Sequence, residues 1–256
     1  MIKINKRSQI TIFIIIAILL VAAILLFFFM LRQRNIEIQN QLNPVNYIDK
    51  CVKDNVEQAE NIMLTQAGYI NPEKYILFNS NKVAYLCYNK NYYQACVNQE
   101  PVYIENLQQE IKNYIKPKIE ECFYSLQQEL QKRNYQIGQG ALSLNVEAVP
   151  NLIKVKVEKK FETTLNEETR KYDEFNIRKS SSLFELANVA REIANQEAEY
   201  CNFEYVGYML FYPRFNIDKK SVGQAETASK IYIIGDRATG KRLYIAIRSC
   251  AIPPGF

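Results

Sequence analysis

Seven residues, Gly235-Asp236-Arg237-Ala238-Thr239-Gly240-Lys241, carry the spacing G-x-x-x-x-G-K. In a phosphate-binding loop the glycines let backbone N–H groups close around an anion, and the lysine reaches the outer phosphates. Three features of this chain speak against that chemistry. The next residue is Arg242, where the loop needs Ser or Thr to hold magnesium. Leu243 to Ile247 has the pattern of a strand, so no helix N-terminus would face the phosphates. Only 15 residues follow Lys241, too few for the α/β core. A hairpin turn accounts for both glycines.

Histidine is absent from the 256 residues. That removes Ser-His and Cys-His nucleophile pairs, histidine-ligated zinc or haem, and the usual general base near neutral pH. The acids Glu120-Glu121 and Glu167-Glu168 are adjacent in sequence, so their side chains point apart and read as surface charge. Ser180, Ser181 and Ser182 lie beside Lys179, but Ser182 is already explained as a helix cap. Tyr85, Tyr88, Tyr92 and Tyr93 could form a stacking surface for sugars or partner proteins, although strand packing explains them as well. The expectation is a protein that is not an enzyme, with no catalytic residue, no cofactor and no metal.

The six cysteines are Cys51, Cys87, Cys96, Cys122, Cys201 and Cys250. None belongs to the Cys-x-x-Cys pairs typical of metal sites. An even set in a loop-rich region fits disulfides and an oxidising compartment. Six cysteines allow about 15 pairings. Placement on elements favours Cys87–Cys96 across a hairpin centred near Asn91-Tyr92, Cys51–Cys122 between two helices, and Cys201–Cys250 as the remaining pair.

Those elements are read from periodicity. Asn43-Pro44 starts a helix whose apolar residues Ile48, Val52, Val56, Ala59, Ile62 and Met63 recur at helical spacing, with Gly68 at its end. Strands are expected at 75–78, 83–88 and 92–97. Residues 101–133 form a long helix that Pro117 should kink or break. Alternation from Leu142 to Ala148 and from Ile153 to Val157 predicts a hairpin turning at Pro150-Asn151. Residues 163–178 are charged and ambiguous. Ser182 and Glu185 form a capping box for a helix through Tyr200. Strands follow at 203–212, 230–235 and 243–249. The fold class is α+β, a mixed helix and antiparallel-strand region.

What positions this region is the segment before it. From Ile10 to Leu31 the chain has 22 residues, and Thr11 is the only polar one. As a helix this run is about 33 Å long, enough for a hydrocarbon core of about 30 Å. It predicts a transmembrane helix that contacts membrane lipid. Residues 1–9 form a cytoplasmic leader, 32–43 a neck and 44–256 an extracytoplasmic α+β region with a sub-boundary near 134–140. Lys3, Lys6 and Arg7 precede the run and Arg32 and Arg34 follow it, a weak charge bias toward a cytoplasmic N-terminus. The cysteines set the orientation more firmly. Leu31-Arg32-Gln33-Arg34-Asn35 offers no small-residue cleavage site, so the helix reads as an uncleaved signal anchor in the cell membrane. The net charge of +5 falls to +2 once the three leading basic residues are set aside. No nucleic-acid partner is expected, and protein or surface partners are.

Lys6-Arg7-Ser8-Gln9-Ile10-Thr11-Ile12-Phe13 resembles the entrance to archaeal type IV pilin-like signals. That resemblance implies a cut between Ser8 and Gln9, with the apolar helix kept on the mature chain. Pilins usually carry Glu at the fifth mature position, where this chain has Phe13. The same opening and Ile-rich helix, followed by Cys51-Val52 and Cys122-Phe123, resembles a group of uncharacterised single-pass membrane proteins of small-genome archaea. The readings in order are an anchored, non-enzymatic surface, adhesion or partner-binding protein; a pilin-like subunit; and an extracytoplasmic enzyme using carboxylates.

Overall fold

In the computed structural model the described residues are 16, 18–30, 43–91, 93–224 and 227–250. Ser8, Gln9 and the rest of the leader lie outside them, as does residues 32–42 of the neck. Residues 18–30 are helical (α1) and all exposed. Among the described residues no helix is long and apolar enough to cross a membrane. The expected span, 10–31, extends past the described residues at both ends.

The apolar stripe Ile48, Val52, Val56, Ala59 and Met63 is fully buried on α2, Pro44–Thr65. Asn43 Oδ1 accepts the Val45 N–H at 3.0 Å, and Pro44 takes the first helical position, where no N–H is needed. Past the last turn Gly68, at φ +86°, donates its N–H to Met63 O at 2.8 Å. Of the kink or break expected at Pro117 the break does not occur: helix α3, Tyr103–Gln131, runs continuously through it. An interior proline costs about 3 kcal/mol. Ile111 and Ile115 before it and Ile119 and Phe123 after it are buried on one continuous face, and that packing offsets the cost.

Helix α4 spans Leu183–Tyr200. The expected capping box does not form. Ser181 Oγ accepts the Leu183 N–H instead, and Glu185 Oε1 reaches across to the Asn151 N–H at 2.7 Å. Residues 203–212, expected as a strand, contain the short helix α5, Tyr205–Phe211. Its N-cap, Glu204, accepts hydrogen bonds from the Val206 and Gly207 N–H groups.

The strands are β1 (Tyr75–Phe78), β2 (Asn81–Tyr88), β3 (Val97–Asn98), β4 (Gln136–Gln139), β5 (Ser143–Val149), β6 (Leu152–Leu165), β7 (Glu168–Ser180), β8 (Phe215–Val222), β9 (Ser229–Asp236) and β10 (Arg242–Arg248). They form two sheets. The larger has the order β1-β2-β10-β9-β8, with β3 also on β2. The smaller is built around β6, which pairs β4 and β5 on one path and β7 besides. An all-antiparallel arrangement was expected, yet β2 and β10 run parallel. A parallel neighbour comes from a distant part of the chain and leaves no local signal. The expected third strand at 92–97 shrinks to β3, and Cys87 stands opposite Asn98 rather than Cys96. The charged stretch 163–178 continues β6 into β7 through Asn166 and Glu167, both at positive φ.

Helix α3 packs on β4 and β5, α4 packs on β2, β3, β9 and β10, and the two helices touch. Helices α3 and α4 thus pack together, α3 against the smaller sheet and α4 chiefly against the larger. Phe123 of α3 meets Phe161 of β6 and Phe175 of β7 at 5.6 and 5.5 Å between ring centres. Three disulfides close the region. Cys51–Cys122 joins α2 to α3, Cys87–Cys96 closes the loop after β2, and Cys201–Cys250 ties the end of α4 to the residues after β10. The described residues from Ile48 onward form one compact unit that includes β4.

Candidate binding surface

The G-x-x-x-x-G-K segment links β9 to β10 as a turn, with Gly235 opposite Arg242. Gly240 donates its N–H to Asp236 O at 2.8 Å. The lysine that would reach a phosphate lies 2.6 Å from Glu60 Oε2 on α2, as an ion pair. Ser181 Oγ donates to the other Glu60 oxygen at 2.6 Å. Asp236, fully buried at its carboxylate, binds Arg214, Thr239 Oγ1 and the Ala238 N–H. The Lys241 ammonium and the N–H groups of Arg237, Ala238, Gly240 and Lys241, which a phosphate-binding loop would use, are committed to the fold. Lys179 pairs with Glu57 at 3.4 Å, so it does not serve the neighbouring serines.

A third buried acid, Glu197 of α4, has no solvent exposure. Lys230 Nζ lies 2.5 Å from its Oε2, and Tyr232 donates its hydroxyl to Oε1. Lys219 Nζ stands 3.8 Å away. Burial lowers the Lys219 ammonium, an effect that the Glu197 charge partly reverses. Burial raises the Tyr232 phenol, and the facing carboxylate raises it further. The group is neutralised from within. Glu120, Glu121, Glu167 and Glu168, the acids singled out in the sequence, are exposed; the first two lie on α3, Glu167 in the turn after β6 and Glu168 at the start of β7. All six cysteines are in disulfides, and among the described residues no group of three or more His, Cys, Asp or Glu could hold a metal ion.

The tyrosines behave differently. In a regular strand Tyr85 and Tyr88 would point to opposite faces, because side chains alternate. The β2–β10 register holds Ala246 opposite Tyr85 but Ile247 opposite Cys87. One extra residue is thus inserted on β2, a β-bulge, and the alternation shifts by one. Tyr85 and Tyr88 come to the same face, with ring centres 5.2 Å apart in an edge-on contact. Arg248, opposite Tyr88 on β10, lays its guanidinium 5.4 Å from the Tyr88 ring centre. Lys74 approaches the same ring at 6.0 Å. Tyr85 shares a hydrogen bond of 3.1 Å with Ser229 at the start of β9. Lys230 and Tyr232 turn toward α4, so Ser229 alternates to the other face of the sheet.

Tyr85, Tyr88, Lys74 and Arg248, with Glu73 and Tyr75, line an open depression of about 330 Å³. Burial raises the Tyr85 phenol, so it stays protonated and able to donate. The depression offers ring faces, phenolic hydroxyls and two cations. That chemistry suits a ligand with apolar ring faces and hydroxyl or carboxylate groups, as sugars and peptides have. Tyr93 is exposed, and Tyr92 lies outside the described residues. A second depression of about 310 Å³ lies over Asn145, Lys154, Lys156 and Arg178 on the small sheet. There Lys156 is paired with Glu158 and Glu174 at 2.8 and 3.1 Å, which leaves a solvated, self-neutralised face. Neither depression is lined by Glu60, Glu197 or Asp236.

No known protein family, no curated protein and no solved structure matches this chain.

Proposed function

We propose that the protein is a single-pass membrane-anchored protein whose α+β region is extracytoplasmic and binds a partner or surface ligand without catalysis. Residues 10–31 are the anchor. The observation that carries the reading is the coupling of a 22-residue apolar run to a following region in which every cysteine is in a disulfide. Disulfides persist in oxidising compartments and are rare in the cytosol. The surface at Tyr85, Tyr88 and Arg248 supplies the binding chemistry. An enzyme using carboxylates has less support, since each buried acid is held by a lysine or arginine of its own.

Protease added to intact cells, followed by membrane fractionation and non-reducing peptide mapping, tests this reading. The expected result is degradation of residues 44–256 from outside, an alkali-resistant membrane fragment, and no free thiol. Full protection together with six free thiols would overturn the placement.

Lys6-Arg7-Ser8-Gln9 favours a second reading, a pilin-like subunit processed before Gln9. Sequencing the mature N-terminus separates the two. A chain beginning at Gln9 supports the filament route, and an intact leader supports the anchor.

A further inference from the structure

Helix α5 has no buried residue. Leu210 is 79% exposed and Phe211 83%, the two most exposed large apolar side chains among the described residues, and they are consecutive. Val206 on the same helix and Tyr212 directly after it are exposed as well. The helix is nonetheless fixed in place. Tyr208 packs on Phe203 at 5.3 Å and on Tyr212 at 4.6 Å between ring centres, and Met209 Sδ accepts the Ile217 N–H at 3.1 Å. An ordered element that keeps consecutive Leu and Phe in water marks a contact surface.

We infer that α5 inserts Val206, Leu210 and Phe211 into the interfacial layer of the bilayer that holds the anchor. This rests on the anchor reading above. The lipid is favoured over other occupants by chain length. Residues 32–43 are the only ones between the apolar run and α2, and twelve residues span at most about 40 Å when fully extended. The domain therefore stays beside the membrane, and α5 meets lipid at the high effective concentration of a tethered site. A contact too small to bind a free protein to a vesicle is enough there. The composition also fits an interface: Tyr205, Tyr208 and Tyr212, with apolar rings and polar tips, share this segment with Val206, Leu210 and Phe211.

The chain contains no tryptophan, so one substitution makes a clean reporter. The full oxidised Phe211→Trp chain is reconstituted into phosphatidylcholine vesicles with and without brominated acyl chains. Tyr124→Trp, at a position 59% exposed on α3, is the reference. The expected result is a blue-shifted emission for Phe211→Trp, quenched by the brominated lipid at least twofold more than for Tyr124→Trp. Equal quenching in chains that float with the vesicles overturns the α5 contact and leaves the anchor intact. Chains that do not float overturn both. A blue shift that grows with protein density, without extra quenching by the brominated lipid, assigns the patch to a second copy of the chain and overturns the lipid contact.

Discussion

Arg214 grips Asp236 at both oxygens, Nε 3.1 Å from Oδ1 and Nη2 2.9 Å from Oδ2. The same guanidinium donates to Asn151 Oδ1 at 3.3 Å and stands 3.6 Å from Glu185. One side chain thus links the turn after β9, the β5–β6 hairpin and the first turn of α4. Its loss leaves a buried carboxylate without its cation. Arg214→Ala should destabilise the domain by about 2 kcal/mol, below the usual figure for a fully buried pair because Arg214 is itself partly in water. Urea melts of the oxidised protein check it.

The same pair sets an acid limb. The Arg214 hydrogen bonds hold the Asp236 carboxyl below the ordinary range. Ionised Asp236 is therefore favoured more in the folded chain than in the unfolded one. The stabilisation is present above the unfolded value of about 4 and is lost as the pH falls through the lowered one. Urea midpoints measured between pH 2 and pH 5 should fall more steeply on acidification for the native chain than for Arg214→Ala.

Glu197 should behave as the centre of a coupled group. Glu197→Ala strands Lys230 in a half-buried site and removes the acceptor of Tyr232, and should cost about 3 kcal/mol. Tyr232→Phe should cost about 1 kcal/mol. In the double variant the Tyr232 contribution should vanish, so the costs should not add. Additive losses in a thermal or urea double-mutant cycle would show that the hydroxyl and the carboxylate act independently.

Gly68 is a position that glycine alone fits. Its φ is +86°, and a Cβ added there would overlap Leu107 Cδ2 and lie 2.9 Å from the Tyr103 hydroxyl, which donates to Ala67 O. Gly68→Ala should cost about 2 kcal/mol or more, from the left-handed backbone and from overpacking against α3. A midpoint within experimental error of the native one would sink this account.

The disulfides should rank by the loop each closes. The separations are 71 residues for Cys51–Cys122, 49 for Cys201–Cys250 and 9 for Cys87–Cys96. Chain entropy assigns roughly 4.4, 4.1 and 2.6 kcal/mol respectively. Paired Cys→Ala variants, compared by urea midpoint, should place Cys87–Cys96 clearly last.

The long helices and the hairpin at Pro150-Asn151 could be read from the sequence because each buries one stripe or one face. Ile111, Ile115, Ile119 and Phe123 recur at helical spacing, and Leu144, Val146 and Ala148 alternate. Helix α5 could not be read that way. Tyr205, Val206, Tyr208 and Phe211 have strand propensity, and nothing local shows that the Glu204 cap and the Phe203–Tyr208 contact hold a helix. Strand β7 was obscured because only Phe175 and Ile177 are buried among its thirteen residues. The binding surface depends on a bulge. Tyr85 and Tyr88 sit at an odd spacing, which in a plain strand separates them, and the shift that unites them exists only in the register with β10.

The parallel pairing of β2 with β10 also dictates when this protein can finish folding. Tyr85 must wait for Ala246, and Tyr88 for Arg248, so a central seam of the larger sheet stays open while almost the whole domain is being made. Closing so long a loop is slow, because the entropy of joining distant segments is spent before any contact rewards it. Until then β2 exposes an unpaired edge, and Cys201 has no Cys250 to meet. During that interval a wrong thiol pairing or a strand borrowed from a neighbouring chain competes with the late arrival of β10.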